Sequence, residues 1–275
     1  MIAALRHHRL LAFAAALVAV EFALAALSAW IAPHDPLAQS VIVRLRGPSA
    51  AHWLGTDQLG RDVLARILHG ARASLAISVA AVGAALVAGG VIGLLSAFYR
   101  GWTDRIAMRL MDVLFACPVM LLAIGVIAVL GPRAESAAIA IAVVYTPIFA
   151  RLLRGPALVI VESEFVTAAR AVGASDARIL LRHVLPNLAS VVLVQASLSL
   201  SAAILVEASL SFLGFGTQPP NPSLGLMLAE GRNYLLLSPW SAVFAGAAIL
   251  LLSFGFNLLG DALRDTLDPR LRDAR

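Results

Sequence analysis

SLAISVAAVGAALVAGGVIGLLSAF, residues 74–98, carries no charged side chain from end to end. A run of this length can cross the roughly 30 Å hydrocarbon core of a bilayer as one helix. Gly83, Gly89, Gly90 and Gly93 within it are small residues of the kind that let helix backbones approach closely in lipid. Working outward, further apolar runs lie at 10–32, 106–130, 136–153, 188–213 and 240–260, which makes six expected spans. The whole chain is 60% hydrophobic and 13% charged, against about a quarter charged in soluble domains. The fold class is therefore an all-α integral membrane protein with about six transmembrane helices. The first run exceeds the apolar core of a signal peptide, about 7–15 residues, and reads as a retained span.

All basic residues are Arg; there is no Lys. That excludes a Walker A phosphate loop, whose lysine must reach the phosphates, and it excludes Schiff-base chemistry. The net charge of +5 fits a cytoplasmic excess of basic residues better than nucleic-acid binding. With the N-terminus inside, the cytoplasmic segments hold Arg6, Arg9, Arg100, Arg105, Arg151, Arg154, Arg170, Arg178, Arg182, Arg264, Arg270, Arg272 and Arg275. The outer segments hold Arg44, Arg46, Arg61, Arg66, Arg72, Arg133 and Arg232. The excess favours both termini in the cytoplasm. His7 and His8 adjoin the basic start and read as surface residues. The single cysteine, Cys117, excludes an intrachain disulfide and a cysteine-pair metal site. Inside an apolar run it reads as a small buried hydrophobe.

Between the fourth and fifth runs stands ESEFVTAARAVGASDARILLRHVLPN, residues 162–187. Phe165, Ala168, Ala169 and Val172 recur at helical spacing and make one apolar face. Gly173 is placed to end that helix in a left-handed conformation. Ser175 caps the next helix, with Asp176 favourable in its first turn, and Leu185-Pro186 is expected to stop it. A short amphipathic helix in such a loop either lies on the membrane surface or enters a partner's groove. The alanines favour the partner, because small side chains permit close docking.

VTAARAVGASDARILLRHVLPN resembles the EAA-type cytoplasmic loop of bacterial ABC importer permeases. Ala168-Ala169, Gly173 and Leu185-Pro186 match at the right spacing, while Thr167 stands where the glutamate is named and His183 where the isoleucine is. HWLGTDQLGRDVLARILHGARASL (52–75) and EASLSFLGFGTQPPNPSLGLML (207–228) are similar to segments of the dipeptide, oligopeptide and nickel importer permeases of the C type. The tail FNLLGDALRDTLDPRLR extends the resemblance over nearly the whole chain. It implies a permease fold of the type I importer kind. It also implies a second homologous permease, two ABC ATPase subunits or domains holding ATP and Mg²⁺, an extracytoplasmic solute-binding protein and surrounding lipid. No cofactor and no nucleic acid would be bound by this chain. The resemblance assigns ATPase coupling to Glu164, Phe165, Thr167, Ala168, Ala169, Val172, Gly173, Ala174, Ser175 and Asp176.

Other polar features carry two readings each. Asp57 and Asp62 in LGTDQLGRD suit turn capping or arginine pairing at the outer mouth, with direct solute contact as the alternative. The QPPNP stretch supplies preset backbone to the outer vestibule. Ionisable residues within spans are functional candidates by default, which singles out Glu21, Asp112 and Glu207. Asp112 is either an i, i+3 partner of Arg109 or a path residue. Glu207 is either interfacial or placed to meet a peptide's ammonium group. No His-Glu-x-x-His, no Gly-x-Ser-x-Gly elbow and no Cys/His cluster is present, so neither catalysis nor a metal site is expected.

The expected organisation is a tail and first helix at 1–33 and an extracytoplasmic segment at 34–73. A five-helix core follows at 74–261, containing the coupling loop 154–187, and then a cytoplasmic tail at 262–275. The expected function is the permease subunit of an ATP-driven importer of peptides or related small solutes. A stand-alone secondary transporter, which would carry midplane charges or a broken helix at its site, and a membrane-embedded enzyme are the alternatives.

Overall fold

The structure, a computed structural model, describes the backbone of residues 2–267 and the side chains of residues 9–267. The expectations for Arg6, His7, His8, the stop at Pro269 and Arg270, Arg272 and Arg275 lie outside what it describes. In order, the helices are α1 (Ile2–Ala26), α2 (Ser28–Ile31), α3 (Val63–Tyr99), α4 (Gly101–Ala116), α5 (Val119–Leu130), α6 (Ala134–Val161), α7 (Glu164–Ala171), α8 (Asp176–Ile179), α9 (Ala189–Phe212), α10 (Leu224–Arg232) and α11 (Trp240–Leu267). There are no strands among the described residues, only one isolated bridge between Thr56 and Asp62. Among the described residues, five helical segments are long and apolar enough to cross a membrane. Counting the bent pair α4–α5 as one span makes six, in keeping with the expected fold class.

The span expected at 106–130 is not one helix. It breaks at Cys117 and Pro118, and its halves meet at 98°. Pro118 lacks an N–H and biases the residue before it towards extended backbone. Cys117 is extended, with φ −80° and ψ 134°. Cys117 is also exposed, which corrects the expectation that it is buried. The span expected at 74–98 begins earlier, at Val63, because Asp62 caps it: its side chain accepts a hydrogen bond from the Ala65 N–H at 2.8 Å. The spans expected at 136–153 and 240–260 likewise run on, to Val161 and Leu267. Pro147 and Pro156 sit inside α6 without ending it.

Small residues set the helix crossings. α3 crosses α6 at Gly89 and Gly93, four apart on one face. A Cβ at Gly89 would lie 2.8 Å from the Phe149 Cβ, and one at Gly93 would lie 3.1 Å from the Ala150 carbonyl carbon. Gly83 faces open space. α10 is wedged between α9 and α11: a Cβ at Gly225 would meet Ser211 at 2.8 Å, and one at Gly231 would meet the Ala242 nitrogen at 2.8 Å. α9 and α11 are joined by the Ser201 hydroxyl, which donates to the Ser253 carbonyl at 2.7 Å. α1 lies along α11, with Phe22 edge-on to Phe256 at 5.9 Å.

Three apolar clusters result. One fills the centre between α3, α5, α6 and α9, around Ile141, Phe149 and Leu210. A second joins α1, α3, α9, α10 and α11, around Ile204, Leu224 and Phe256. The third lies at the α3 C-terminus, between Leu94, Leu153, Val161, Val166, Ile179 and Leu188. This last cluster seats the loop between α6 and α9.

Candidate functional site

That loop begins where α6 ends. Ser163 precedes α7 in extended conformation, and its hydroxyl donates back to the Ile160 carbonyl at 2.6 Å. Val166 is fully buried in the third cluster and anchors α7 to the bundle. After α7 the chain closes in a Schellman turn. The Gly173 N–H donates to the Arg170 carbonyl at 2.9 Å and the Ala174 N–H to the Ala169 carbonyl at 3.0 Å. Gly173 has φ +79°, the left-handed conformation expected of it. The Ser175 side chain then accepts from the Arg178 N–H at 3.4 Å and opens α8.

α8 does not stop at Leu185-Pro186. It continues through a wide turn, Leu180–Val184, and a tight one, Leu185–Leu188, into α9. The wide turn lets the Leu185 N–H reach the Leu180 carbonyl, so Pro186 re-aims the helix rather than ending it.

The apolar face expected on α7 divides in two. Ala169 is half-buried against the bundle. Phe165, Ala168 and Val172 point outward, and Val172 keeps 85% of its surface exposed. Glu164, Thr167 and Asp176 are exposed as well. The helix is therefore held from behind by Val166, a residue outside the expected stripe, and presents an unpartnered small-and-apolar face.

Sequence reasoning also missed what braces the loop from the side. Residues 98–100, at the end of the second apolar run and just beyond it, all engage it. The Tyr99 hydroxyl donates to Asp176 at 3.0 Å, and Arg100 pairs with Glu162 at 2.7 Å. Arg170 stacks its guanidinium over the Phe98 ring at 5.0 Å. Such exposed contacts contribute at most about 1 kcal/mol each, so they orient the loop more than they stabilise it. A sequence signal existed in the opposite charges of Arg100 and Glu162, but nothing in the spacing tied them together.

The other candidates fall elsewhere. Asp112 does not pair with Arg109. Its carboxylate accepts from Arg151 of α6 at 2.7 Å, on an exposed face where α4 packs beside α6. Nearby, Arg154 holds Asp104 with two bonds at 2.5 and 2.6 Å. Glu207 is not interfacial. It is fully buried, with one oxygen accepting from the Ser74 hydroxyl at 2.6 Å and the other from Ser211 at 2.7 Å. Glu21 is buried between α1 and α11, and neither carboxylate oxygen has a hydrogen-bond partner among the described residues.

At the opposite end of α3 the loop 32–62 folds over the bundle. Asp57 accepts from Arg61 at 2.6 Å and Arg66 at 3.1 Å, and both arginines also reach Glu230 of α10, at 2.9 and 3.4 Å. Arg61, Arg66 and Asp57 are all buried. Asp57 and Asp62 thus do the pairing and capping that their sequence context suggested.

Residues 89–273 match the family model described as binding-protein-dependent transport system inner membrane component. The chain is 45% identical over 270 residues to the glutathione transport system permease protein GsiD of Pectobacterium atrosepticum, covering 98% of this chain and 89% of that one. It is 44% identical over 229 residues to the dipeptide transport system permease protein DppC of Alkalihalophilus pseudofirmus, covering 83% of this chain and 75% of the relative. In fold it is similar to a chain of the MetNI methionine ABC transporter in an inward-facing conformation. The TM-score is 0.60, with 18% identity over 74% of this chain and 97% of that one. The relatives are transport permeases rather than enzymes, and a binding-protein-dependent system sets aside the stand-alone secondary transporter. With apolar helices that cross a membrane several times and a loop that presents an unpartnered face, the chain belongs to the family of binding-protein-dependent transport system inner membrane components.

Proposed function

We propose that this permease forms half of a path for small peptides, and that α7 is the surface on which a cytoplasmic ATPase bears. The observation that carries the reading is the exposed Phe165–Ala168–Val172 face on a helix anchored from behind by buried Val166. A short apolar stripe flanked by small residues suits insertion into a groove. In this reading a second, homologous permease completes the path. Two ATPase subunits or domains hold ATP and Mg²⁺, and an extracytoplasmic binding protein delivers the solute. The dipeptide and glutathione permeases among the relatives support a peptide substrate.

Force on α7 reaches the bundle by two routes. Val166 shares its cluster with Leu153, Ala157 and Val161 of α6, and with Leu94 and Ala97 of α3. The Glu162–Arg100 and Asp176–Tyr99 contacts link the loop to the end of α3. ATP-driven movement of the ATPases would bias the bundle between two packings, inward-open and outward-open. Glu207, with both oxygens engaged, serves as a brace between α3 and α9. Asp112 fixes α4 to α6.

Ala168 is exposed, so Ala168→Arg leaves the permease folded. Copurification of the ATPase with Ala168→Arg should fall at least about tenfold, which corresponds to about 1.4 kcal/mol of docking energy. Full retention of the ATPase with unchanged uptake would remove α7 from the docking surface. The proposed orientation places α7 and both termini in the cytoplasm. In a Cys117→Ser background, Thr167→Cys should react with a membrane-impermeant maleimide in inside-out vesicles only. Reaction in right-side-out vesicles would invert the topology.

A further inference from the structure

At the end of α3 remote from α7, three side chains from distant parts of the loop 32–62 converge. His34 follows α2 directly, His52 lies midway and Asp62 caps α3. The His52 Nδ1 is 2.8 Å from the Asp62 Oδ2, and the His34 Nδ1 is 3.3 Å from that same oxygen. The imidazole centroids are 4.8 Å apart. One potential ligand atom from each residue lies within 4.8 Å of the other two.

The two oxygens of Asp62 are divided. Oδ1 accepts from the Ala65 N–H and caps the helix. Oδ2 is left facing the two rings. The neighbouring arginines are engaged elsewhere, since Arg61 and Arg66 both bind Asp57 and Glu230. Backbone contacts preset the arrangement. The His52 N–H donates to the Ser49 hydroxyl at 3.1 Å, and the Val63 N–H donates to the Gly55 carbonyl at 3.1 Å. Exposure grades outward: the side chain of Asp62 is 1% exposed, that of His52 17% and that of His34 42%. The group is closed at its base and open at its rim.

We infer that His34, His52 and Asp62 form a binding site for a divalent transition metal, with zinc or nickel the cations its donors suit. Two imidazole nitrogens and one carboxylate oxygen select this class over Mg²⁺ and Ca²⁺, which take oxygen ligands. Metal–ligand bonds of about 2.0–2.2 Å place donor atoms roughly 3 Å apart, the spacing that Oδ2 already has from each imidazole. A cation needs only to draw in the exposed ring of His34. Three protein ligands leave a coordination position open to water or to a donor atom of a passing solute. Bound metal would clip the segment after α2 to the first turn of α3.

The test uses the assembled transporter, purified without a polyhistidine tag and stripped with chelator, then titrated with Zn²⁺ and with Ni²⁺. Binding of one ion per permease is expected. His34→Ala and His52→Ala should each weaken it at least about tenfold, since even outer-shell changes cost that much. His69→Ala should leave it unchanged, because that imidazole bonds the Ala65 carbonyl within α3. Zn²⁺ should raise the thermal midpoint of the native protein and leave that of His34→Ala where it is. Because His34 is exposed, that variant folds, and its unligated midpoint verifies this. Absence of stoichiometric binding to the native protein, or binding unchanged in the His34→Ala/His52→Ala double variant, would overturn the site and leave a hydrogen-bonded triad.

Discussion

At the scale of single residues, buried charge is distributed unevenly. Asp57 holds two buried arginines and also accepts from the Leu59 and Arg61 N–H groups at 2.9 Å. Removing one partner of a buried pair leaves an uncompensated charge and costs about 3–5 kcal/mol. Asp57→Asn should therefore lower the thermal midpoint in detergent steeply; an unchanged midpoint would show that Glu230 alone satisfies Arg61 and Arg66. Glu21 is the opposite case. The residue is 8% exposed, and its carboxylate lacks a hydrogen-bond partner among the described residues and presses on Gly255. An unsatisfied buried polar group costs about 1–3 kcal/mol, so Glu21→Met should raise the midpoint measured on this chain alone. A fall on that substitution would reveal a partner group for Glu21. Apolar runs announced Glu21 as anomalous, but no pattern in them said that it faces a glycine.

At the scale of elements, the long apolar runs were legible because span length is fixed by the bilayer. Their ends were not, because ends are decided by caps. Asp62, many residues before the expected start, begins α3, and Pro156 failed to stop α6. Helix α10 is short and semi-polar, and it becomes a helix where glycines let it wedge between α9 and α11. The small-residue reading of α3 held at Gly89 and Gly93 and not at Gly83. Gly93→Val should cost at least about 1–3 kcal/mol through overpacking against α6, whereas Gly83→Ala should shift the midpoint little. Equal effects at the two positions would mean that the crossing is not set by glycine. The same logic applies to the loop. The 3.6-residue period located the outward face of α7, and it did not identify Val166, which is chosen by tertiary packing.

At the scale of the molecule, α3 joins the two ends. Its 37 residues span about 55 Å at 1.5 Å per residue, from the buried Asp57–Arg66 ion pairs to Tyr99 and Arg100 beneath the loop. If α3 carries movement from the loop, the Arg100–Glu162 pair matters for coupling more than for stability. Arg100→Glu should change stability by no more than about 1 kcal/mol and reduce uptake several-fold. The charge-swapped double variant Arg100→Glu/Glu162→Arg should restore uptake. Uptake that is insensitive to both changes would leave the Val166 cluster and the Asp176–Tyr99 contact to carry the link. Residues at such separations in the chain meet only through the fold, which is why neither this pair nor the His34–His52–Asp62 group was legible from spacing.

The break between α4 and α5 has a practical side. Cys117 is the single thiol of the chain, and it stands exposed at the corner where two helices meet at 98°. A fluorophore or spin label can be attached there without first removing any other cysteine. The native sequence thus supplies its own reporter, placed where a change in the angle between two helices would register as a change in signal.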